Sequence, residues 1–113
     1  MHRIASRTFV FFLTCLHMFS QTTSTTILGT VTDATGASIG GAKVTVANIN
    51  TGIKREEITS ASGNYTFPLL DVGHYSVTVE MKGFKTETQT GIELQINQKA
   101  RVDFKSLQVG SQS

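Results

Sequence analysis

The chain has 113 residues, of which 39% are hydrophobic and 16% are charged, so its size suits one small domain. This length excludes multidomain enzymes and folds that need about 200 residues, such as the (β/α)8 barrel. The formal charge is +2, and Arg3 and Arg7 in the first twenty residues account for it. The 8 Lys and Arg residues that follow balance 8 Asp and Glu residues, which leaves no net positive field for nucleic acid.

The first 22 residues are predicted to be a secretory signal peptide. A basic start is followed by the apolar run Thr8–Phe19 and then by a polar stretch, which is the usual layout of such a leader. The apolar run is shorter than the roughly 20 residues needed to span a bilayer. We expect cleavage between Ser20 and Ser24, with residues 23–26 as a polar linker. An uncleaved anchor is the alternative, because Met18 is too large for a typical cleavage site.

Cys15 lies inside this leader, where a cysteine can serve as a lipid attachment site. Thr14 precedes it and the apolar run continues beyond it, whereas a lipoprotein signal has Gly, Ala or Ser at that position. We therefore interpret Cys15 as an ordinary residue of the leader. No cysteine follows it, so the predicted domain has to be held by its core without a disulfide.

The rest of the chain reads as short strands. Turn-forming residues recur at intervals of about 8–12 residues, and apolar side chains alternate with polar ones between them. This pattern predicts an all-β fold, an antiparallel seven-stranded sandwich of two sheets over residues 27–109. Residues 110–113 are predicted to be a tail or a truncated linker. The inward-facing positions include Val44, Val46, Tyr75, Val77, Val79, Ile92, Leu94, Ile96, Ala100, Val102 and Phe104.

Two segments are less apolar and are predicted to be edge strands. Ile53–Ala61 carries four consecutive charges, and Phe84–Thr90 carries Lys85 and Glu87. Charged side chains at the edge of a sheet discourage pairing with another chain.

Several ordered motifs resemble those of the carboxypeptidase regulatory-like domain, a transthyretin-like (prealbumin-like) β-sandwich. The resemblance covers about residues 27–109 and rests on the order and spacing of many pieces. Ser62 stands where the family often has Asp, and Val72 stands where it often has Pro, which affects only local turns. The matching pieces are Ile27–Asp33, Gly36–Ala37, Gly41–Val46, Ser62–Phe67, Leu70–Val79 and Lys82–Phe84.

Elementary physics gives most of these residues structural roles. Gly29 and Gly73 are expected where the backbone approaches a neighbour or takes a positive φ, and Gly63 is expected in a tight hairpin turn. Asp33 is expected to accept hydrogen bonds from the amides of the turn that follows it. Three aromatic residues are expected to fill the core with a hydroxyl at its rim, namely Tyr65, Phe67 and Tyr75.

Catalysis is not predicted, and neither a cofactor nor a metal is expected. His74 is the single histidine after the leader, whereas a zinc carboxypeptidase needs His and Glu ligands and a general base. We find no confident Ser/His/Asp set around His74 and no phosphate-binding glycine loop.

A leader followed directly by this domain resembles the start of TonB-dependent outer-membrane receptors. In such proteins the sandwich is an N-terminal periplasmic extension that precedes a plug and a barrel. The resemblance implies a non-catalytic accessory or interaction domain, either a fragment of a receptor or a free-standing remnant. The implied location is the periplasm or outer membrane of a Gram-negative envelope, with secretion as the alternative. The implied partner is the downstream receptor barrel or an envelope protein, which could add a strand to a sheet edge.

The alternative function is carbohydrate binding, because similar sandwiches occur as starch-binding-like domains. A glycan site usually presents a flat aromatic face, and the chain has no Trp. Phe84 is the aromatic residue expected nearest the surface, although packing against the core is the simpler expectation for it. The candidate contacts for a ligand or partner are Phe84, Lys82 and His74. An intramolecular isopeptide bond, as in similar pilin-type sandwiches, is not predicted because Ile27–Asp33 lacks Lys.

Overall fold

The computed structural model describes residues 25–110, which form two four-stranded sheets packed face to face. The predicted signal peptide, Cys15 and the last three residues lie outside this part of the chain. Residues 25–110 contain no helix, and therefore none that could cross a membrane. The strands are β1 (Thr26–Asp33), β2 (Lys43–Asn48), β3 (Lys54–Ile58), β4 (Asn64–Phe67), β5 (Gly73–Glu80), β6 (Glu87–Leu94), β7 (Lys99–Arg101) and β8 (Phe104–Leu107).

One sheet has the order β3-β2-β5-β6 and is antiparallel throughout. The predicted alternation holds in its two central strands, where every second side chain is buried. The buried hydrophobic residues of these strands are Val44, Val46, Tyr75, Val77 and Val79, none more than 3% exposed. The β-sandwich prediction is confirmed by this sheet and the one packed against it.

The other sheet is mixed, and here the antiparallel prediction is wrong. Its central strand β1 pairs antiparallel with β4, but β7 and β8 both pair with it in parallel. The chain reaches β7 from β6, which lies in the opposite sheet, and so it runs beside β1 in the same direction. Such crossovers between packed sheets allow a parallel pair without a helix.

The structure has eight strands instead of seven because Asp103 interrupts the last one. The Val102 N–H donates to the Leu28 carbonyl at 2.8 Å. At the next step the Thr30 N–H donates to the Asp103 carboxylate at 2.9 Å instead of to a backbone carbonyl. A hydrogen bond to a side chain thus replaces one backbone hydrogen bond between the strands. The single strand predicted from the sequence is therefore divided into β7 and β8.

The core lies between the sheets and contains sixteen buried hydrophobic residues. Leu94 on β6 is 2% exposed, as predicted, whereas Ile96 is 70% exposed. The inward prediction for Ile96 is wrong because β6 ends at Leu94 and alternation does not extend into the loop. A register shift near Tyr75, opposite Gly91 with its φ of 75°, also bends this strand pair.

Gly29 is where β1, β4 and the last part of the chain meet. A Cβ at Gly29 would lie 1.9 Å from the Val102 carbonyl oxygen, so only glycine fits. Tyr65 is the β4 partner of Gly29, and its buried hydroxyl donates to that same Val102 carbonyl. The rim position predicted for the Tyr65 hydroxyl is therefore wrong. The half-buried Tyr75 hydroxyl donates to the Asp71 carbonyl at 2.7 Å.

The predicted edge strands β3 and β6 do lie at the edges of their sheet. Arg55 on β3 reaches across the open side of the sandwich, with its guanidinium carbon 5.8 Å from the centre of the Phe67 ring. It also donates to the Pro68 carbonyl at 2.7 Å. An inward-turned charge on β3 and a bulge at Gly91 in β6 both hinder the addition of a further strand.

Asp33 holds the turn after β1, as the sequence predicts. One carboxylate oxygen accepts from the Thr35 hydroxyl at 2.7 Å, the Thr35 N–H at 2.8 Å and the Ala37 N–H at 3.0 Å. These hydrogen bonds, that from the Thr35 side chain foremost, lower the pKa of Asp33 below its usual value of 3.8.

We expect Gly29→Ala to lower the free energy of unfolding by about 3 kcal/mol, the upper end of the usual range for overpacking, because backbone atoms would have to move apart. Gly41→Ala is the matched control, since Gly41 has a φ of 85° and nothing within 4 Å of its Cβ position. It should cost only about 1–2 kcal/mol through backbone strain. Urea unfolding measures both, and equal losses would contradict the close approach at Gly29.

Tyr65→Phe should lower the free energy of unfolding by about 1–3 kcal/mol, because the buried Val102 carbonyl loses its hydrogen bond from the hydroxyl. Tyr75→Phe removes a half-buried hydroxyl and should cost less, about 0.5–1.5 kcal/mol. The comparison uses the same urea titration, and a larger loss in the Tyr75 variant would count against this assignment.

The Asp33 turn should make stability depend on pH. Because folding lowers the pKa of Asp33, its stabilisation is present above the unfolded pKa and is lost as pH falls through the folded pKa. We expect wild type to lose more stability than Asp33→Asn between pH 6 and pH 2, about two pH units to either side of the unfolded pKa. Parallel urea titrations at several pH values test this, and identical pH dependence in the two proteins would refute it.

Candidate functional site

The two ends of the sandwich differ, and the chain enters at one and leaves at the other. Thr25 accepts from the Leu70 N–H and from the Asn97 N–H, at 2.9 and 3.2 Å, at what we call the proximal end. Val109 pairs with Phe84 at the opposite, distal end. Three loops form the proximal end, residues 49–53, 68–72 and 95–98, which we call the proximal loops.

The structure does not bring the three predicted contact residues together. His74 is exposed at the start of β5, at the proximal end, where its N–H donates to the Asn50 side chain at 3.3 Å. Lys82 and Phe84 follow the end of β5, so the length of that strand, about 25 Å, separates them from His74. They cannot contact one small ligand together with it.

Phe84 packs against the core and offers only part of its ring. It is half-buried, whereas Lys82 beside it is exposed. The other aromatic residues in the described part of the chain are no more than 4% exposed, namely Tyr65, Phe67, Tyr75 and Phe104. Residues 25–110 thus present no flat aromatic face of the kind that glycan sites use.

A polar cleft of about 410 Å³ lies beside the Asp33 turn and was not foreseen from the sequence. Asp103 and Lys105 also line it, and the contact between Asp103 and Thr30 joins residues 73 positions apart. Such a long-range contact leaves no local pattern in a sequence. The carboxylates of Asp33 and Asp103 both accept hydrogen bonds from backbone N–H groups, so both have a structural role.

Residues 25–110 contain no group of three or more His, Cys, Asp or Glu side chains that could hold a metal ion. His74 and Glu93 are paired across β5 and β6, and both side chains are exposed.

The proximal loops carry most of the exposed aliphatic side chains. Seven large hydrophobic residues of the described chain are prominently exposed, and five of them lie here. The alternation of strands does not extend into loops, so sequence reasoning missed this surface. The five residues are Ile49 (55% exposed), Ile53 (61%), Leu69 (74%), Val72 (53%) and Ile96 (70%).

Comparison with solved structures shows the fold alone, because the sequence identities are low. A catechol 1,2-dioxygenase from Acinetobacter has a TM-score of 0.59 at 13% identity, covering 77% of this chain and 53% of that one. The Bacillus anthracis TIE protein has a TM-score of 0.59 at 21% identity, covering 74% and 16%. A putative carbohydrate binding protein from Bacteroides uniformis has a TM-score of 0.57 at 19% identity, covering 73% and 40%.

Sequence comparison is more specific. The TonB-dependent transporter Oar of Myxococcus xanthus is 35% identical over 86 residues, which are 74% of this chain and 8% of the transporter. The chain thus spans less than a tenth of that relative. The profile of the carboxypeptidase regulatory-like domain matches residues 26–107, which include all eight strands. The chain belongs to the carboxypeptidase regulatory-like domain family.

Proposed function

We propose that this protein is a non-catalytic accessory domain of a TonB-dependent outer-membrane receptor system, exported to the periplasmic side of the outer membrane. The observation that carries the proposal is the 35% identity to a TonB-dependent transporter over most of the chain. The domain acts as a folded spacer and contact surface, either within a receptor chain or beside it.

The path of the chain supports the role of a spacer. The chain enters at the proximal end and leaves at the distal end, so segments on either side are held apart by the length of the sandwich. For the eight residues of β1 this length is about 25 Å. The terminal strands β1 and β8 are hydrogen-bonded neighbours, which ties the two points of attachment directly together.

A carbohydrate-binding role has less support, because the aromatic side chains of residues 25–110 are buried or half-buried. A catalytic role has no support from the arrangement around His74, which is the one histidine among residues 25–110. In the β3-β2-β5-β6 sheet, the addition of a further strand is hindered by Arg55 on β3 and by the bulge at Gly91 on β6.

Fractionation of native cells with an antibody to residues 27–109 tests the proposal. The 86 matched residues are 8% of the transporter, so a receptor of similar length has roughly 1,100 residues. We expect the antibody to detect a protein of that size in the outer-membrane fraction, or the small domain itself in the periplasm or at the outer membrane. Detection in the cytoplasm, or only in the culture medium, would contradict the proposal.

The predicted leader has its own test. N-terminal sequencing of the exported protein should find a start between residues 21 and 24. A chain that still begins at Met1 would mean that the leader is an anchor and that the cleavage prediction is wrong.

A further inference from the structure

The aliphatic side chains of the proximal loops are mostly exposed in the folded domain. Leu69 is the clearest case, because it is 74% exposed and has a φ of 60°. A left-handed conformation costs a residue with a Cβ about 1–2 kcal/mol, and an exposed leucine gains no burial in return. An asparagine or glycine would suit this position better if folding alone mattered. A large aliphatic side chain that is exposed and has an unfavourable backbone conformation indicates contact with a molecule outside the domain.

The proximal loops form one surface. Ile53 and Leu69, from different loops, line the same small cleft of about 70 Å³. The Ile49 N–H donates to the His74 carbonyl at 2.8 Å, which places that loop beside the start of β5 and Val72. Thr25 joins the loops that contain Leu69 and Ile96, since it accepts from both Leu70 and Asn97.

The part of the chain before Thr25 joins the sandwich at this same end. Its apolar run Thr8–Phe19 is separated from Thr25 by five residues, so Phe19 and Thr25 are at most about 22 Å apart when the chain is extended. Before the predicted cleavage, or in a protein that keeps the run as an anchor, insertion of this run in a bilayer holds the proximal loops within that distance of the lipid surface.

We propose that the proximal end is a bilayer-contacting surface, on which Ile49, Ile53, Leu69, Val72 and Ile96 enter the outer part of a phospholipid leaflet. The aliphatic side chains come from three loops, and exposed polar residues such as Asn50 and Gln95 lie among them in the sequence. Fluid lipid can fill the space around such an uneven surface, whereas a rigid protein partner would need a matching shape.

The charges around the surface indicate which kind of lipid it needs. Lys54 and Lys99 are exposed at this end, and so are Asp71 and Glu93. Because the positive and negative charges at this end balance, the affinity for a bilayer should come from the aliphatic side chains and not from attraction to anionic lipid. Binding should therefore occur on zwitterionic phosphatidylcholine vesicles and change little with salt.

The absence of Trp from the chain allows a direct test with the full-length protein. Ile96→Trp places a fluorescent probe at the proximal end, and Val109→Trp places one at the distal end, where the native residue is 78% exposed. Vesicles of phosphatidylcholine brominated near the top of the acyl chain should shift the emission of the first probe to shorter wavelength and quench it. The second probe should keep the emission that it has in water.

A further substitution separates contact from tethering by the leader. Leu69→Asn suits the left-handed backbone, so it should leave the urea midpoint unchanged or higher. In the Ile96→Trp protein it should lower the ratio of lipid-contacting to free loops about tenfold, because one buried leucine is lost.

Three results would overturn the inference. Equal quenching at positions 96 and 109 would show that the leader merely holds the domain near lipid. No quenching at position 96 of vesicle-bound protein would show that the loops stay in water. An emission shift at position 96 that depends on protein concentration and needs no vesicles would identify a second copy of the chain as the partner.

Discussion

The missing side chain of Gly29 is the constraint on which the second sheet depends. Because Gly29 has no side chain, the Val102 carbonyl can approach β1 closely. There this carbonyl accepts a hydrogen bond from the hydroxyl of Tyr65, which lies on β4 at the other side of β1. Three segments that are distant in sequence are thus fastened at one point of β1. Burial of the Tyr65 hydroxyl raises the pKa of that group, with the negative charge of Asp103 adding to the effect. The neutral hydroxyl is therefore the form that the fold keeps.

Local patterns predicted the parts of the fold that depend on local physics. Alternation identified the buried faces of β2 and β5, and charge identified β3 and β6 as edge strands. The parallel pairing of β7 and β8 with β1 could not be predicted in this way, because a parallel and an antiparallel strand bury their side chains with the same period. The break between β7 and β8 depends on the contact between Asp103 and Thr30, which only the folded chain brings together.

The candidate surfaces were less predictable than the fold. Reasoning about side-chain chemistry selected Phe84, Lys82 and His74, but the length of β5 separates His74 from the other two. The proximal loops were missed because aliphatic residues in loops follow no period. Ile96 was even assigned to the core, since it continues the alternation of Ile92 and Leu94 beyond the point where β6 ends. The exposure of such aliphatic side chains can be recognised only when the ends of the strands are known.

The proposed role as a spacer depends on the parallel pairing of β1 and β8, which joins the two points of attachment. Force applied between Thr25 and the residues after Val109 loads those hydrogen bonds together, in shear. Force applied between Thr25 and Gln98, both at the proximal end, instead peels β1 from β7 one bond at a time. Single-molecule pulling in these two geometries is the most direct measurement. We predict one cooperative unfolding event at a clearly higher force in the first geometry, and equal or lower force there would contradict the spacer proposal.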